Sequence, residues 1–378
     1  MAMVRARSSP VSTLVSRTTG IDAPAFAAAF DALSAPRMTW NAPDDALVFA
    51  SGAAATLTAS GPDRFAAIRS GADDLFDSGD VHAGTEAARP RLFGGFAFHE
   101  GGCDGDPWEP FPEARFVLPR VQVTFADNGA WLTVNAVGDD ADPDAVEERL
   151  AAERDRIAGK YPDCHRYYFE PDAEGSAFFG ATPERLVALR GRTVETDALA
   201  GTTGRGETPA EDEWLAQELL DDAKNVHEHE LVADTVREQL EPFAASISAG
   251  ERRVRRLATV QHLHTPITAE LNADRHVLDL VEALHPTPAV GGLPPDRALE
   301  TIHDTEPFDR GWYAAPVGWI DAAGNGAFAV AIRSAVATQS RATLFAGVGL
   351  VADSDPDREW DEVQLKYRPI LDELEGGS

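Results

Sequence analysis

With 63 acidic against 33 basic side chains, this 378-residue chain carries a formal net charge of −30, a field that repels nucleic acid and anionic membranes and excludes both as expected partners. Its 43% hydrophobic residues suffice for a globular core, in one large domain or two ordinary ones. Lysine occurs only at Lys160, Lys224 and Lys366, and an acidic, lysine-poor surface predicts a halophile's protein, soluble where salt screens carboxylate repulsion within a few ångströms.

Residues 1–20 contain Arg5, Arg7 and Arg17 but no apolar run of signal-peptide length, and no later run reaches a membrane span, so a soluble, cytoplasmic protein is expected; a monomer is the default expectation, which nothing in the sequence decides. Alanines and phenylalanines at helical spacing predict a helix over Asp22–Ala35, and Ala46–Thr58 reads as strand broken by Gly52. Arg91–Phe98 is a glycine-containing strand. The aromatic, proline-punctuated Trp108–Pro119 leads into strands at Arg120–Phe125 and Ala130–Ala136. Residues 139–159 form a charged helix with Val146, Leu150 and Ile157 near one face. The text then jumps, at Gly159-Lys160-Tyr161-Pro162, to strand-like Arg166–Phe169. Cys103 and Cys164 are too few and too far apart for a disulfide framework or a zinc site, and both are expected to be inert.

The chemistry concentrates beyond this point. Phe178–Gly206 reads as a strand, a turn carrying Pro183-Glu184-Arg185, a second strand, and a glycine turn at Ala200, Gly201 and Thr202 whose bare amides suit a carboxylate. Glu184 is either a surface glutamate paired with Arg185 or an acid held in one direction by its proline. Glu211–Gln239 predicts two consecutive helices, with Lys224, Asn225 and Glu228 on one face. His262 and Thr265-Pro266 lie in the strand-like Thr259–Leu271, followed by the stiff, glycine-opened wall Leu284–Gly292 and by Glu306–Tyr313. Pro316–Val351 reads as a three-stranded meander with a turn at Gly324-Asn325-Gly326. Its middle strand puts Arg333 on a face of small alanines, with room for an anion. In the next strand Phe345, Gly347, Gly349 and Val351 share a face. Asp355 is the expected N-cap of a last helix, with Glu359, Glu362 and Lys366 at i, i+3 and i+7. Those three side chains fit a surface ion-pair ladder as well as a cation site.

Together these motifs resemble the chorismate-utilising enzymes, and within them the isochorismate synthases. The resemblance is strong over Tyr167–Leu374 and weak over Phe93–Asn135. It implies an α/β (α+β) chorismate-binding fold of the aminodeoxychorismate synthase type, large mixed or antiparallel sheets covered by helices. Residues 1–378 would form one intertwined domain, with 1–159 the weakly matching half and 160–378 the chorismate-binding region. By the same resemblance Glu184 is the general acid that protonates the departing C4 hydroxyl of chorismate. Glu228 and Glu362 would hold Mg²⁺, with Glu359 supporting through water. Ala200, Gly201, Thr202, His262, Arg333, Gly347 and Lys366 would bind substrate. Ala200 stands where aminodeoxychorismate synthases place a nucleophilic lysine, and Thr265-Pro266 favours isochorismate over anthranilate synthase. Menaquinone biosynthesis is the implied pathway. One departure matters: the family's segment with a Lys-Val-Val-Leu-Ala-Arg-like motif, whose lysine activates the attacking water, is missing between residues 159 and 167. That predicts an exposed or strained sheet near Gly159–Tyr168, and leaves an impaired chorismate-binding protein, or a salicylate or anthranilate synthase, as alternatives.

Overall fold

The computed structural model describes residues 13–21, 35–42, 45–77, 79–103, 105–126, 129–156, 167–171, 176–257, 260–338, 341–351 and 354–375. The helix expected from Asp22, apart from Ala35, falls outside these residues, as do Thr259, Lys160, Cys164 and most of the junction before Tyr167.

The first half supplies β1 (Leu14–Ile21), β2 (Arg37–Trp40), β3 (Leu47–Ala59), helix α1 (Arg64–Asp77), β4 (Asp80–His82), β5 (Arg91–Phe96), β6 (Ala114–Ala126), β7 (Gly129–Val137) and helix α2 (Pro143–Arg156). The second half begins with β8 (Tyr167–Glu170), β9 (Ala177–Gly180), β10 (Arg185–Arg190), β11 (Thr193–Gly204), helices α3 (Pro209–Asp221) and α4 (Ala223–Leu240), β12 (Ala244–Ala249), β13 (Arg253–Arg256) and β14 (Val260–Leu271). Helix α5 (Val277–Leu284), the single turn α6 (Pro288–Gly291), helix α7 (Pro295–Thr305), β15 (Pro316–Asp321), β16 (Gly326–Val330), β17 (Ser334–Ala337), β18 (Ala342–Phe345) and helix α8 (Pro356–Glu375) complete it.

Among the described residues the strands join in one 18-stranded network, antiparallel except for the β1–β4 pair. It branches at β6, whose first part pairs with β5 and whose second part pairs with β7, while β3 runs along its other edge. One arm continues β5–β15–β16–β10–β11–β14, the other β3–β2–β8–β9–β17–β18. Helices α1, α4 and α5 cover the first arm through Phe65, Ile68, Val232, Val236, Leu280 and Val281, packed on Val187 and Phe328. A second, aromatic core takes Trp40, Phe93, Phe178 and Trp319 from strands of both arms.

Three details depart from the sequence reading. The strand expected from Arg120 starts at Ala114 and runs through Pro119, whose missing N–H is tolerated because the partner strand bulges between Ala53 and Ala55. Strand β3 is likewise unbroken at Gly52. At the junction, Tyr167 and Tyr168 pair with β2 on one side and β9 on the other, and Tyr167 is buried, so these two residues are not an exposed edge.

One polar cluster crosses the aromatic core. The buried Asp45 carboxylate accepts from the indoles of Trp319 at 2.7 Å and Trp40 at 3.2 Å and pairs with Arg190 at 3.3 Å and Arg91 at 3.5 Å. The Arg91 guanidinium lies 3.9 Å over the Trp319 ring. Burial by itself raises the Asp45 pKa, yet Arg91 and Arg190 hold it below the usual carboxylate value. Removing the carboxylate strands Arg91 without its counter-charge. Asp45→Ala is therefore expected to lower stability by roughly 3–5 kcal/mol, read as the midpoint shift of a reversible denaturant titration.

Candidate active site

Every candidate residue named from the sequence lines one cavity: Glu184, Ala200, Gly201, Thr202, Glu228, His262, Arg333, Gly347, Glu359, Glu362 and Lys366. Four pieces of chain bring them together: the β9–β10 connection, the far end of β11 against β14, the loop from β16 through β18 to α8, and the facing sides of α4 and α8.

Glu184 ends the irregular Ala181–Glu184 segment. Strands β9 and β10 do not pair with each other but join different neighbours, so this segment crosses between arms rather than closing a hairpin. The Thr182 hydroxyl accepts from the Glu184 amide at 3.1 Å, and the Glu184 carbonyl accepts from Val330 at 3.0 Å. Its carboxyl is buried and accepts from the Thr287 hydroxyl at 3.3 Å. Burial pushes its pKa up to about 7, against the opposing pull of the Thr287 hydrogen bond and the cations Lys366 and Arg333.

The glycine turn expected at Ala200, Gly201 and Thr202 is instead a bulge inside the continuous strand β11. Gly201 is the extra residue, at φ +74, where a side chain would be strained and would meet Asn225 at 3.2 Å. The bulge sets Thr202 opposite His262, and the Thr202 hydroxyl lies 3.2 Å from Nδ1 of that ring. On the other ring nitrogen, Nε2, Arg333 donates at 2.7 Å, so His262 carries its proton on Nδ1. Burial and the Arg333 charge hold the His262 pKa well below its ordinary value, keeping the ring a neutral acceptor.

Arg333 is not on a middle strand. The meander breaks after Val330, resumes at Ser334 as β17 and β18, and has four strands rather than three. At the break Arg333 takes φ +50, a left-handed conformation rarely adopted outside glycine, and is buried with Nε unpaired. Burial lowers its pKa to about 10. The strand expected through Gly347 and Gly349 stops at Phe345; both glycines lie in the loop that follows. A Cβ on Gly347 would come within 2.8 Å of the Tyr313 hydroxyl.

Helix α8 begins as read, Asp355 accepting from the Arg358 amide at 3.1 Å. From it Lys366 reaches Glu362 at 2.8 Å and donates to the Gly347 carbonyl at 3.0 Å, while Glu359 meets Lys224 of α4 at 3.3 Å. Burial first, then the like charge of Glu362, raises the Glu228 pKa. No three His, Cys, Asp or Glu side chains close into a metal-binding group among the described residues. Two crowded carboxylates with open space beside them nevertheless fit Mg²⁺, which takes few protein carboxylates and completes its octahedron with water and an anionic ligand.

Thr287 on the acid and Tyr313 beside Gly347 were not singled out individually from sequence. Leu284–Gly292 was read as a wall and Glu306–Tyr313 only as part of the resemblance, and only three-dimensional contact tells which hydroxyl meets the acid. The cavity as a whole brings an acid with a pKa of about 7 together with the buried Arg333 and the half-buried Lys366.

A family model described as a chorismate binding enzyme matches residues 2–161 and 154–375, in two pieces that meet where the expected lysine segment is missing. The chain belongs to the chorismate binding enzyme family. It is 35% identical over 359 residues to isochorismate synthase MenF of Bacillus subtilis, covering 77% of this chain and 76% of that protein. It is 51% identical over 200 residues to the salicylate biosynthesis isochorismate synthase of Pseudomonas aeruginosa, covering 53% of this chain and 42% of that one. The chain thus spans three quarters of the first relative and less than half of the second. The solved structure of Escherichia coli MenF, described as the menaquinone-specific isochorismate synthase, superposes with TM-score 0.75 at 23% identity over 95% of both chains. Anthranilate synthase component I of Streptococcus pneumoniae superposes with TM-score 0.68 at 19% identity, over 87% of this chain and 92% of that one. Both place the fold, a mixed α/β structure with a large antiparallel sheet under helices.

The raised acid has a stability signature. The folded pKa of Glu184, about 7, lies above the ordinary glutamate value of 4.5, so the stability its protonated form retains is full below about pH 4.5 and is lost as pH rises through about 7. Glu184→Gln is expected to raise stability at pH 8 by up to roughly 3 kcal/mol, at about 1.4 kcal/mol per pH unit, with the gain vanishing toward pH 5. Melting curves at the two pH values check this.

Proposed function

We propose that this protein is an isochorismate synthase, converting chorismate to isochorismate by adding water at C2 as the C4 hydroxyl departs, for menaquinone biosynthesis. The observation that carries the reading is the Glu184 carboxyl, buried and neutralisable near pH 7 in a cavity it shares with Arg333 and Lys366. Glu184 would give its proton to the departing oxygen, which leaves as water. Arg333, steadied by neutral His262, would hold a substrate carboxylate, and Lys366 beside the Gly347 carbonyl a second anionic group. Glu228 and Glu362 would hold Mg²⁺, with Glu359 through water; bound there, the ion neutralises a substrate carboxylate and fixes its place. Ala200 puts no amine at the end of β11, which supports water rather than an enzyme lysine as nucleophile.

The attacking water would release its proton to solvent, since the family's lysine-bearing segment has no counterpart between residues 159 and 167. General-base catalysis contributes roughly 10²–10⁴ in rate, so turnover slow against that of a lysine-bearing relative is the expected result. We further place the enzyme in a salt-rich cytoplasm as a monomer, the acidic, lysine-poor composition supporting concentrated salt as its working medium.

Chorismate incubated with Mg²⁺ in concentrated KCl is expected to yield isochorismate, resolved by chromatography. Released pyruvate with salicylate, or anthranilate formed with ammonia, would replace this reading by the corresponding synthase. The rate should fall as pH rises through about 7, and Glu184→Gln should cost about 10²–10⁴ in kcat. Arg333→Lys, which keeps the charge but loses the fork, should raise KM for chorismate by about tenfold; an unchanged KM removes Arg333 from the carboxylate.

A further inference from the structure

Together with Thr182 and Pro183, Glu184 also borders a second cavity of about 110 Å³, room for several water molecules at about 10–15 Å³ each. The floor of this cavity is sheet. Ala188 of β10 stands opposite Ala327 of β16, and Arg185 opposite Ala329. The bulge between Arg185 and Val187 brings Arg185 and Ala188 to the same face. Across β10, Glu195 of β11 stands opposite Ala188, with Asp197 two residues on along the same face.

The charges around this floor are matched to one another. Arg185 meets Glu195 at 2.6 Å, Arg190 meets Asp45 at 3.3 Å, and Asp197 takes His264 at 2.8 Å and Arg255 at 3.8 Å. Among the described residues of this lining the ion pairs match these charges, which argues against a second ligand site and for water. The field of Asp197 acts on Glu184 from this side, raising its pKa, while Lys366 and Arg333 act from the first cavity in the opposite sense.

Resting on the isochorismate synthase reading, the proton count gives that water a task. Each turnover moves one proton from Glu184 to the departing C4 oxygen, which leaves as water, and releases one proton from the water that adds at C2. The sum is zero, but Glu184 ends ionised and must regain a proton before the next cycle. Substrate filling the first cavity would lie between Glu184 and solvent on that side, and this chain has no lysine segment to return the proton, which leaves the second cavity as the acid's other path. We propose that the second cavity is the water-filled route through which Glu184 is reprotonated from solvent while substrate or product occupies the first.

The test fills the second cavity without entering the first, by Ala188→Leu and separately Ala329→Leu, from facing strands so that misfolding of one leaves the other. In each folded variant kcat at saturating chorismate is expected to fall about tenfold, a fraction of the roughly 10²–10⁴ that acid–base catalysis supplies. A solvent deuterium isotope effect should appear, with chorismate affinity unchanged. Unaltered kcat and isotope effect in a variant whose cavity is filled overturn the proposal. If the wild-type chain binds chorismate without turning it over, the functional reading fails separately. Bound chorismate then plugs the first cavity, and hydrogen–deuterium exchange at the Glu184 carboxyl, followed by its infrared C=O band, decides the route. Exchange slowed at least tenfold in the variants supports it; equal rates overturn it.

Discussion

A carboxylic acid whose carboxyl is taken out of bulk water holds its proton toward pH 7, and the burial of Glu184 is the constraint around which this molecule is arranged. Cations alone would defeat the purpose, since Arg333 and Lys366 both favour the ionised form. Desolvation outweighs them because the carboxyl sits on a segment crossing between the two arms of the sheet. Thr182 fixes its backbone on one side and Thr287 meets it from the wall after α5. Regular structure would not have served: a residue within β10 would share the sheet's alternation, and one in a surface turn would be wet.

The same logic explains the backbone of the cation opposite. Arg333 holds a left-handed conformation that costs on the order of 1–3 kcal/mol, where a continued strand would cost nothing. The break after Val330 takes the guanidinium off the sheet's alternation and into reach of His262. Around them Lys366 stands with Glu362 and Lys224 with Glu359, while Glu228 faces the like charge of Glu362.

Much of this was legible because it is local. The proline before Glu184, the two helices after Gly206 and the Asp355 cap each follow from a few neighbouring residues, and they appear where expected. What was misread depends on partners remote in sequence. A glycine with positive φ serves a turn or a bulge equally well, and only pairing with β14 decides that Gly201 bulges. The alternation Phe328, Val330, Ile332 is a strand signal, and nothing in it announces that the chain turns at Arg333. Asp45 was passed over because its partners Arg91, Arg190 and Trp319 lie in distant segments. The second cavity was invisible for the same reason, since alanines in strands read as ordinary core until the layer above them is known.

The pairing of β5 with β15 bears on how the molecule is made. The edge from Arg91 to Gly95 finds its partner at Val317–Asp321. During synthesis at about 5–20 residues per second, that edge leaves the ribosome roughly 10–45 s before its partner does. It carries Leu92 and Phe93, both fully buried in the finished fold. A strand edge open for that long is a template for the wrong neighbour, another nascent copy included. The cavity that holds Glu184 and the buried Arg333, both beyond residue 180, thus stands on a sheet completed late, and the yield of folded protein depends on what shields the first half while the second is still being translated.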